Sequence, residues 1–398
     1  MTRPLSVLLV DPSLFTAPYD AALTGGLTAA GVRPTWAVRP TRASDRQEIP
    51  TEFVDAFFYR HVDKATFLPA GLRKAAKGLS HAIGLARLIA RVLLTRPDVV
   101  HFQWLVVPAF DVVALKIIGL LCPVILTVHD TVPFNGDRFS LLQHLAMDVP
   151  LRTADRLIVH TDSGRTRLLS RRFAADKVRV IRHGPLPAPA GGAPRTAPRS
   201  ADRYTFVMFG EIKAYKGPDL LVEAVASLSP REREQTRFII AGRPQMDLEP
   251  LRDRISSLRL QETVDLRPRR LSEQEMADLF AETDCFLFPY RQIDASGAYF
   301  MIKALGKWII ASRVGVFAED VDDGRQGQLV PSNDVPALAG AISDAIARRP
   351  RPATVAAAPG WEAIGLATRR LYEDALNHRK PQNARGPSEL DSPEGRFA

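Results

Sequence analysis

Two lysines three residues apart, Lys213 and Lys216, stand in a turn between the apolar run Tyr204–Phe209 and Gly217-Pro218-Asp219, which opens an amphipathic pattern of Leu220, Leu221, Ala224, Val225 and Leu228. Strand, basic turn at Gly210 and helix start, in that order, put two ammonium groups beyond the carboxyl end of a strand. Open parallel sheets bind ligands there, and a helix N-terminus favours negative charge, so the ligand to expect is an anion, above all a phosphate. The glycine fingerprint of dinucleotide sites is absent, and Lys216 is followed by Gly217 where a Walker loop needs Ser or Thr. Exposed turns also carry lysines for solubility, and on this turn alone the two readings stand about level.

A second group of chemistry-bearing residues tips the balance. His101, His129, His160 and His183 each follow an apolar run, within His101-Phe102-Gln103-Trp104, His129-Asp130-Thr131, His160-Thr161-Asp162-Ser163 and His183-Gly184-Pro185. A lone histidine at a strand end is more often a structural hydrogen-bonder than a catalyst. Repetition along one edge of a sheet points to a shared cleft.

The elements that must position these groups alternate between strand and helix patterns. Leu5–Val10, Thr35–Val38, Asp98–Phe102, Val124–Val128, Leu157–His160 and Val178–Ile181 read as strands, the helices between them including Asp20–Ala30 and the basic amphipathic stretch Gly71–Leu94. Gly25-Gly26 inside the first helix costs roughly 1 kcal/mol per glycine relative to alanine, which calls for a close packing contact. Pro185–Asp202 is rich in Pro, Ala and Gly and reads as a linker. A second alternation follows, with strands at Tyr204–Phe209, Phe238–Ala241, Val264–Leu266, Cys285–Phe288, Trp308–Ser312 and Gln328–Val330. The expected organisation is an α/β chain of two doubly wound parallel-sheet domains, 1–184 and 204–355, joined by 185–203, with a helix at 356–377 packing back on the first domain and a disordered tail at 378–398.

Composition excludes several classes. With 398 residues and 46% hydrophobic content the chain can build two cores. Two cysteines, Cys122 and Cys285, rule out a disulfide framework and fit a reducing cytoplasm. The N-terminal apolar run is too short for a secretory signal, and Val112–Leu126, broken by Lys116 and Pro123, reads as helix, turn and strand instead of a membrane span. The net charge of +9 favours acidic partners. Without a nucleic-acid motif these are nucleotide phosphates; the basic stretch Gly71–Leu94 reads first as a solvated outer helix of a Rossmann-like domain, with peripheral contact with an anionic membrane as the alternative.

The order of these signals resembles the retaining GT-B-fold glycosyltransferases of family 4, also called group 1, from Leu5 to about Ala375. A "TVHD"-like strand end matches Thr127-Val128-His129-Asp130. The basic turn "G-x-(I/L)-R-x-x-K-G" matches Gly210-Glu211-Ile212-Lys213-Ala214-Tyr215-Lys216-Gly217, with lysine in place of arginine at Lys213. The strand "A-x-G-x-P-V-I-A-S" matches Ala304–Ser312, and a later motif matches Glu319, Gly324, Gly327, Leu329, Val330 and Asp334. The family's paired glutamates fall at Ile293 and Met301 and are not kept; Asp294-Ala295-Ser296-Gly297 resembles a subgroup with a "D-x-S-G" turn.

The resemblance implies two Rossmann-like domains facing across a cleft, and metal-independent transfer of a sugar from a nucleotide sugar to a sugar, lipid-linked or small-molecule acceptor. It implies His129, Asp130, Lys213 and Lys216 in catalysis, with Asp130 orienting His129. Gly210, Lys213, Lys216, Gly242, Tyr290, Asp294, Ser296, Gly297 and Ala298 would meet the donor; Tyr19, Gln103, Trp104 and His129 would meet the acceptor, in a region reaching from Phe15–Tyr19 to His129–Phe134. No cofactor is implied, and Asp320-Val321-Asp322 reads as an acidic turn, not a metal motif. The lost glutamates leave a second reading, a catalytically degenerate GT-B protein acting as a binding or scaffold subunit.

Overall fold

The computed structural model describes residues 3–42, 45–60, 70–131, 148–189, 203–352 and 360–379. In the first half, strands β1 (Leu5–Asp11), β2 (Val32–Val38), β3 (Val54–Ala56), β4 (Val99–Phe102), β5 (Val124–Thr127), β6 (Arg156–Val159) and β7 (Val178–Val180) form one sheet in the order β3-β2-β1-β4-β5-β6-β7. In the second half, β8 (Tyr204–Phe209), β9 (Thr236–Ala241), β10 (Val264–Arg267), β11 (Cys285–Phe288), β12 (Trp308–Ser312) and β13 (Gly327–Val330) form another, ordered β10-β9-β8-β11-β12-β13. Every pairing is parallel. Both sheets reverse order beside their first strand, so each has a crevice at its carboxyl edge. β3 carries no strand signal in the sequence: it is three half-buried residues at a sheet edge.

Strand alternation divides the first domain's core. Val7 and Leu9 of β1 face one cluster, while Leu8 and Val10 face the other. The second face is covered by α2 (Ala70–Thr95) and α3 (Pro108–Gly119), the first by α1 (Ala17–Ala29) and a long C-terminal helix, Trp361–Arg379, which returns from the second domain. That helix is tied down by Arg156 to Asp374 (3.0 Å), by Arg379 to Asp155 (2.8 Å) and by Tyr372, whose hydroxyl meets His101 Nδ1 (2.7 Å). It continues through His378 and Arg379, two residues past the boundary read from the sequence, because the Arg379–Asp155 pair holds its last turn. The proposed tail from 380 on lies outside the described residues, as do most of the linker, 190–202, and residues 132–134 of the acceptor region. Within the described part of the linker Leu186 is buried and its N–H donates to the Phe300 carbonyl (3.3 Å), while Pro185, Pro187 and Ala188 are exposed.

The crossing of α1 and the C-terminal helix explains one of the two helical glycines. A Cβ on Gly26 would sit 2.2 Å from the Trp361 carbonyl oxygen, and one on Gly365 would sit 2.0 Å from the Gly26 carbonyl oxygen, whereas a Cβ on Gly25 would meet nothing within 4 Å. Gly25→Ala is therefore expected to raise stability by about 1 kcal/mol through helix propensity. Gly26→Ala should lower it by about 1–3 kcal/mol, since two backbones must separate. Urea melts of the two variants check both signs; a destabilised Gly25→Ala or a neutral Gly26→Ala would contradict this packing.

Candidate active site

At the carboxyl edge of the second sheet, β8 ends at Gly210 and the turn that follows folds Lys216 back over the strand ends. Gly210 (φ +114°) and Gly242 (φ +148°) take backbone angles that favour glycine. A Cβ on Gly242 would lie 1.9 Å from the Gly210 carbonyl oxygen, so Gly242 shapes the turn without facing a ligand. The result is a cleft of about 310 Å³ whose lining includes Gly210, Lys213, Lys216, Ser296, Gly297 and Ala298. Ser296 caps the short helix α5 (Gly297–Lys303), which starts in the cleft wall. Ile293 and Met301 line the same cleft, so side chains without charge stand where the resemblance would have carboxylates.

The two lysines differ in state. Lys213 Nζ pairs with Glu211 (3.0 Å), which also accepts from Arg243 (2.8 Å). Lys216 is 8% exposed, its ammonium 5.4 Å from the centre of the Tyr290 ring, and among the described residues no acceptor takes a hydrogen bond from it. Burial, then the neighbouring Lys213 charge, push Lys216 down to about 8 against the opposing pull of Glu211. Tyr290 is fully buried and does not line the cleft; its ring is packed against the Lys216 ammonium.

Facing this cleft, the first sheet brings its four strand-end histidines together. His129 and His160 are joined Nδ1 to Nε2 at 3.2 Å, and the rings of His160 and His183 lie 5.4 Å apart. Burial first, then the neighbouring histidines, hold His129 well below the ordinary imidazole value, and burial pushes His101 down to about 3, so both are neutral. Neutral rings fix the proton order. His160 Nδ1 donates to the Ile181 carbonyl (2.9 Å), which leaves its Nε2 to accept from His129 Nδ1. His129 Nε2 then accepts. Gln103 places its Oε1 3.2 Å from His129 Nε2 and its Nε2 3.3 Å from His101 Nε2; turning this amide over, which exchanges two atoms of nearly equal size, gives His129 Nε2 the donor that a neutral ring needs.

Sequence reasoning gave Asp130 the task of orienting His129, and the structure corrects this. Both ring nitrogens are taken by His160 and Gln103, and the ring is stacked on Trp104 (4.9 Å between centres, 9° between planes). Asp130 lies instead among Asp294, Arg167 and Lys213; burial, then the Asp294 carboxylate, push it up to about 8. Tyr19 also departs from its assignment: it is 4% exposed, packed on His129, His160, His183 and Trp361, and it supports the histidines instead of presenting a face to an acceptor. Trp104 is half-buried with the exposed Phe15 against its edge. Its indole N–H donates to Thr16 (3.0 Å), on a loop held by Asp11, whose carboxylate accepts from the Ser13 and Thr16 amides.

The contacts that join the halves had no sequence signal. Asp294, 3% exposed, accepts from the Thr131 amide and hydroxyl and from Arg167 Nη1 (2.6 Å) on α4 (Asp162–Ser170). Its carboxylate therefore binds the opposite domain, not a sugar. Glu319 likewise crosses over, accepting from the Asp162 and Ser163 amides (2.8 Å each) at the start of α4 and from Arg182 (3.0 Å). His183 stacks on Phe300 of α5 (3.9 Å, 1°). Asp320 is occupied by Tyr299 (2.8 Å) and Lys303 (2.7 Å), and among the described residues no three His, Cys, Asp or Glu side chains, the histidine cluster included, are placed to hold a metal ion together.

Two facing Rossmann-like domains with a lysine-bearing cleft between them define the GT-B class, and solved structures agree. A crystal structure of Anabaena HepE in complex with UDP-glucose superposes with a TM-score of 0.64 at 17% identity, covering 94% of this chain and 98% of that one. The catalytic domain of Arabidopsis thaliana starch synthase IV does so with 0.68 at 12% identity, covering 94% and 100%. The family model for glycosyl transferases group 1 matches residues 203–348 and that for glycosyltransferase family 4 matches residues 21–184. The chain belongs to the group 1, family 4 glycosyltransferases. Among curated relatives, D-inositol 3-phosphate glycosyltransferase of Kineococcus radiotolerans is 29% identical over 60% of this chain and 61% of its own length. The GDP-mannose-dependent alpha-(1-6)-phosphatidylinositol monomannoside mannosyltransferase of Mycolicibacterium smegmatis is 30% identical over 39% and 42%. The chain thus matches about three fifths of the length of the first of these relatives and less of the second.

Proposed function

We propose that this chain transfers a glycosyl group from a nucleoside-diphosphate sugar to an acceptor hydroxyl, with retention of anomeric configuration and without a metal, in glycan, glycolipid or glycosylated-metabolite biosynthesis. The observation that carries this reading is Lys216, a buried cation in an open cleft with no acceptor among the described residues. Burying an ammonium without an acceptor is costly unless a ligand completes the site. A diphosphate would do so, with Lys213 at its rim. As the glycosidic bond breaks, negative charge grows on the departing diphosphate, and these ammonium groups neutralise it; the same phosphate takes the acceptor proton on the face from which it leaves. Gln103 and His160 hold the neutral His129 in one tautomer beside the incoming sugar, and Trp104 with Phe15 offers the acceptor an aromatic wall. The UDP-glucose complex of Anabaena HepE and the GDP-mannose-dependent mycolicibacterial relative support a nucleotide-sugar donor and differ in base.

The uncharged Ile293 and Met301 in the cleft wall favour a second reading, a binding subunit without turnover. One experiment separates them: nucleoside diphosphate release from UDP-, GDP-, ADP- and dTDP-sugars, followed by mass spectrometry, with His129→Ala as control and EDTA in a parallel set. Release from one donor, lost in the variant and unchanged by EDTA, is expected. Loss of turnover with EDTA and recovery with magnesium would refute the metal-free mechanism. Donor binding by calorimetry with no release in the presence of candidate acceptors would establish the binding subunit.

A further inference from the structure

The two helices on the outer face of the first sheet are apolar on both sides. Their inner stripes, including Leu85, Leu88, Leu115 and Ile118, fill the core beneath the sheet. Thirteen large hydrophobic side chains are exposed among the described residues, and ten of them lie on α2, α3 or the two residues after α3. This is a patch, not the scatter that ordinary surfaces show. Leu79, Ile83 and Leu94 of α2 and Phe110, Ile117 and Leu120 beside them are all more than a third exposed, Leu120 reaching 85%. A buried chain fixes the two helices side by side: the Tyr59 hydroxyl meets His81 Nδ1 and His81 Nε2 meets Asp111, each at 2.7 Å. Ala75–Thr95 is long and apolar enough to cross a membrane, yet its inner stripe is core, so in this fold it lies along a surface.

Charge selects what covers the patch. Residues 70–95 contain no Asp or Glu, and the single acid of α3, Asp111, is buried against His81. Lys77, Arg87, Arg91 and Lys116 are exposed around the apolar stripes; Arg91 also pairs with Asp55 (2.8 Å). A second copy docking the same face would set these cations against one another. An anionic bilayer accepts both parts, apolar side chains at the acyl boundary and cations among the headgroups. We propose that the α2–α3 face is a docking surface for an anionic lipid bilayer. Along the chain, α3 begins at Pro108, shortly after Trp104 at the carboxyl end of β4. Binding does not depend on the glycosyl-transfer reading.

The test is co-sedimentation of the full chain with vesicles of phosphatidylcholine alone and of phosphatidylcholine mixed equally with phosphatidylglycerol. Partitioning to anionic vesicles is expected to exceed that to neutral ones at least tenfold in low salt. The variant K77Q/R87Q/K116Q should bind anionic vesicles about a hundredfold more weakly, about fivefold for each charge removed. L79E/I83E should lose binding while keeping its melting temperature, since both side chains are exposed. Equal partitioning to both vesicles, no partitioning to either, or a dimer in sedimentation equilibrium that L79E/I83E dissociates would each overturn the proposal. Should L79E/I83E fail to fold, the charge variant decides alone. Donor release in lipid-free solution is read separately, so failure here leaves the catalytic reading intact.

Discussion

Lys216→Ala should lower kcat/KM for the donor by about a hundredfold to a thousandfold, the usual cost of removing one preorganised contact to charge that develops in a transition state. Lys216→Arg should not restore it, because the ammonium already sits 3.2 Å from where a Cβ on Gly210 would be and a guanidinium is wider. The free enzyme should also lose kcat/KM as pH rises through about 8, about tenfold per unit, as Lys216 deprotonates. Stability should move the other way. Burial lowers this lysine from 10.5 to about 8, so between those values the folded state binds fewer protons than the unfolded one and stability rises with pH. At neutral pH the buried charge costs the unliganded protein about 3 kcal/mol, and Lys216→Met should recover part of it while abolishing turnover. A Lys216→Met protein that is both inactive and less stable at pH 7 would show that the residue is structural.

The second large effect is expected at Asp294. Asp294→Ala takes from the Thr131 amide and hydroxyl and from the Arg167 guanidinium the carboxylate they share. Removing one partner of a buried pair costs about 3–5 kcal/mol, and the lower end applies because the Arg167 side chain is 36% exposed and water can reach it. Asp294 bridges the two halves, so the loss should appear in how they close on one another as well as in unfolding: a larger radius of gyration in solution scattering and a lower kcat, with nucleotide affinity at the Lys216 cleft changed less. Arg167→Met alone should do part of this, and the double variant should cost less than the sum of the singles. Independent, additive effects of the two substitutions would disprove the latch.

Much of this architecture is written in local signals. Alternating apolar runs and helix patterns announce two parallel-sheet domains because strands covered on both faces must be continuously apolar, as Phe286–Phe288 and Ile309–Ala311 are. The lysine turn is equally local: Gly210, Lys213, Lys216 and Gly217 lie within one turn, so spacing alone places charge at a strand end. The four histidines carried a weaker form of the same signal, since each follows its own strand and parallel strands end on one edge.

Only the tertiary structure decided what these residues do to one another. That Lys216 is buried without an acceptor while Lys213 is paired depends on how the turn folds over Tyr290. The tautomer of His129 depends on His160, 31 positions away, and on Gln103. Asp294 meets Thr131 and Arg167 across 163 and 127 residues of chain. Periodicity reports which face of an element is buried, because burial of one element is a local property of its own pattern. It does not report which polar groups from distant strands will share a dry interface, because that pairing is set by the docking of two finished domains, and the free energy of each contact exists only once both are in place.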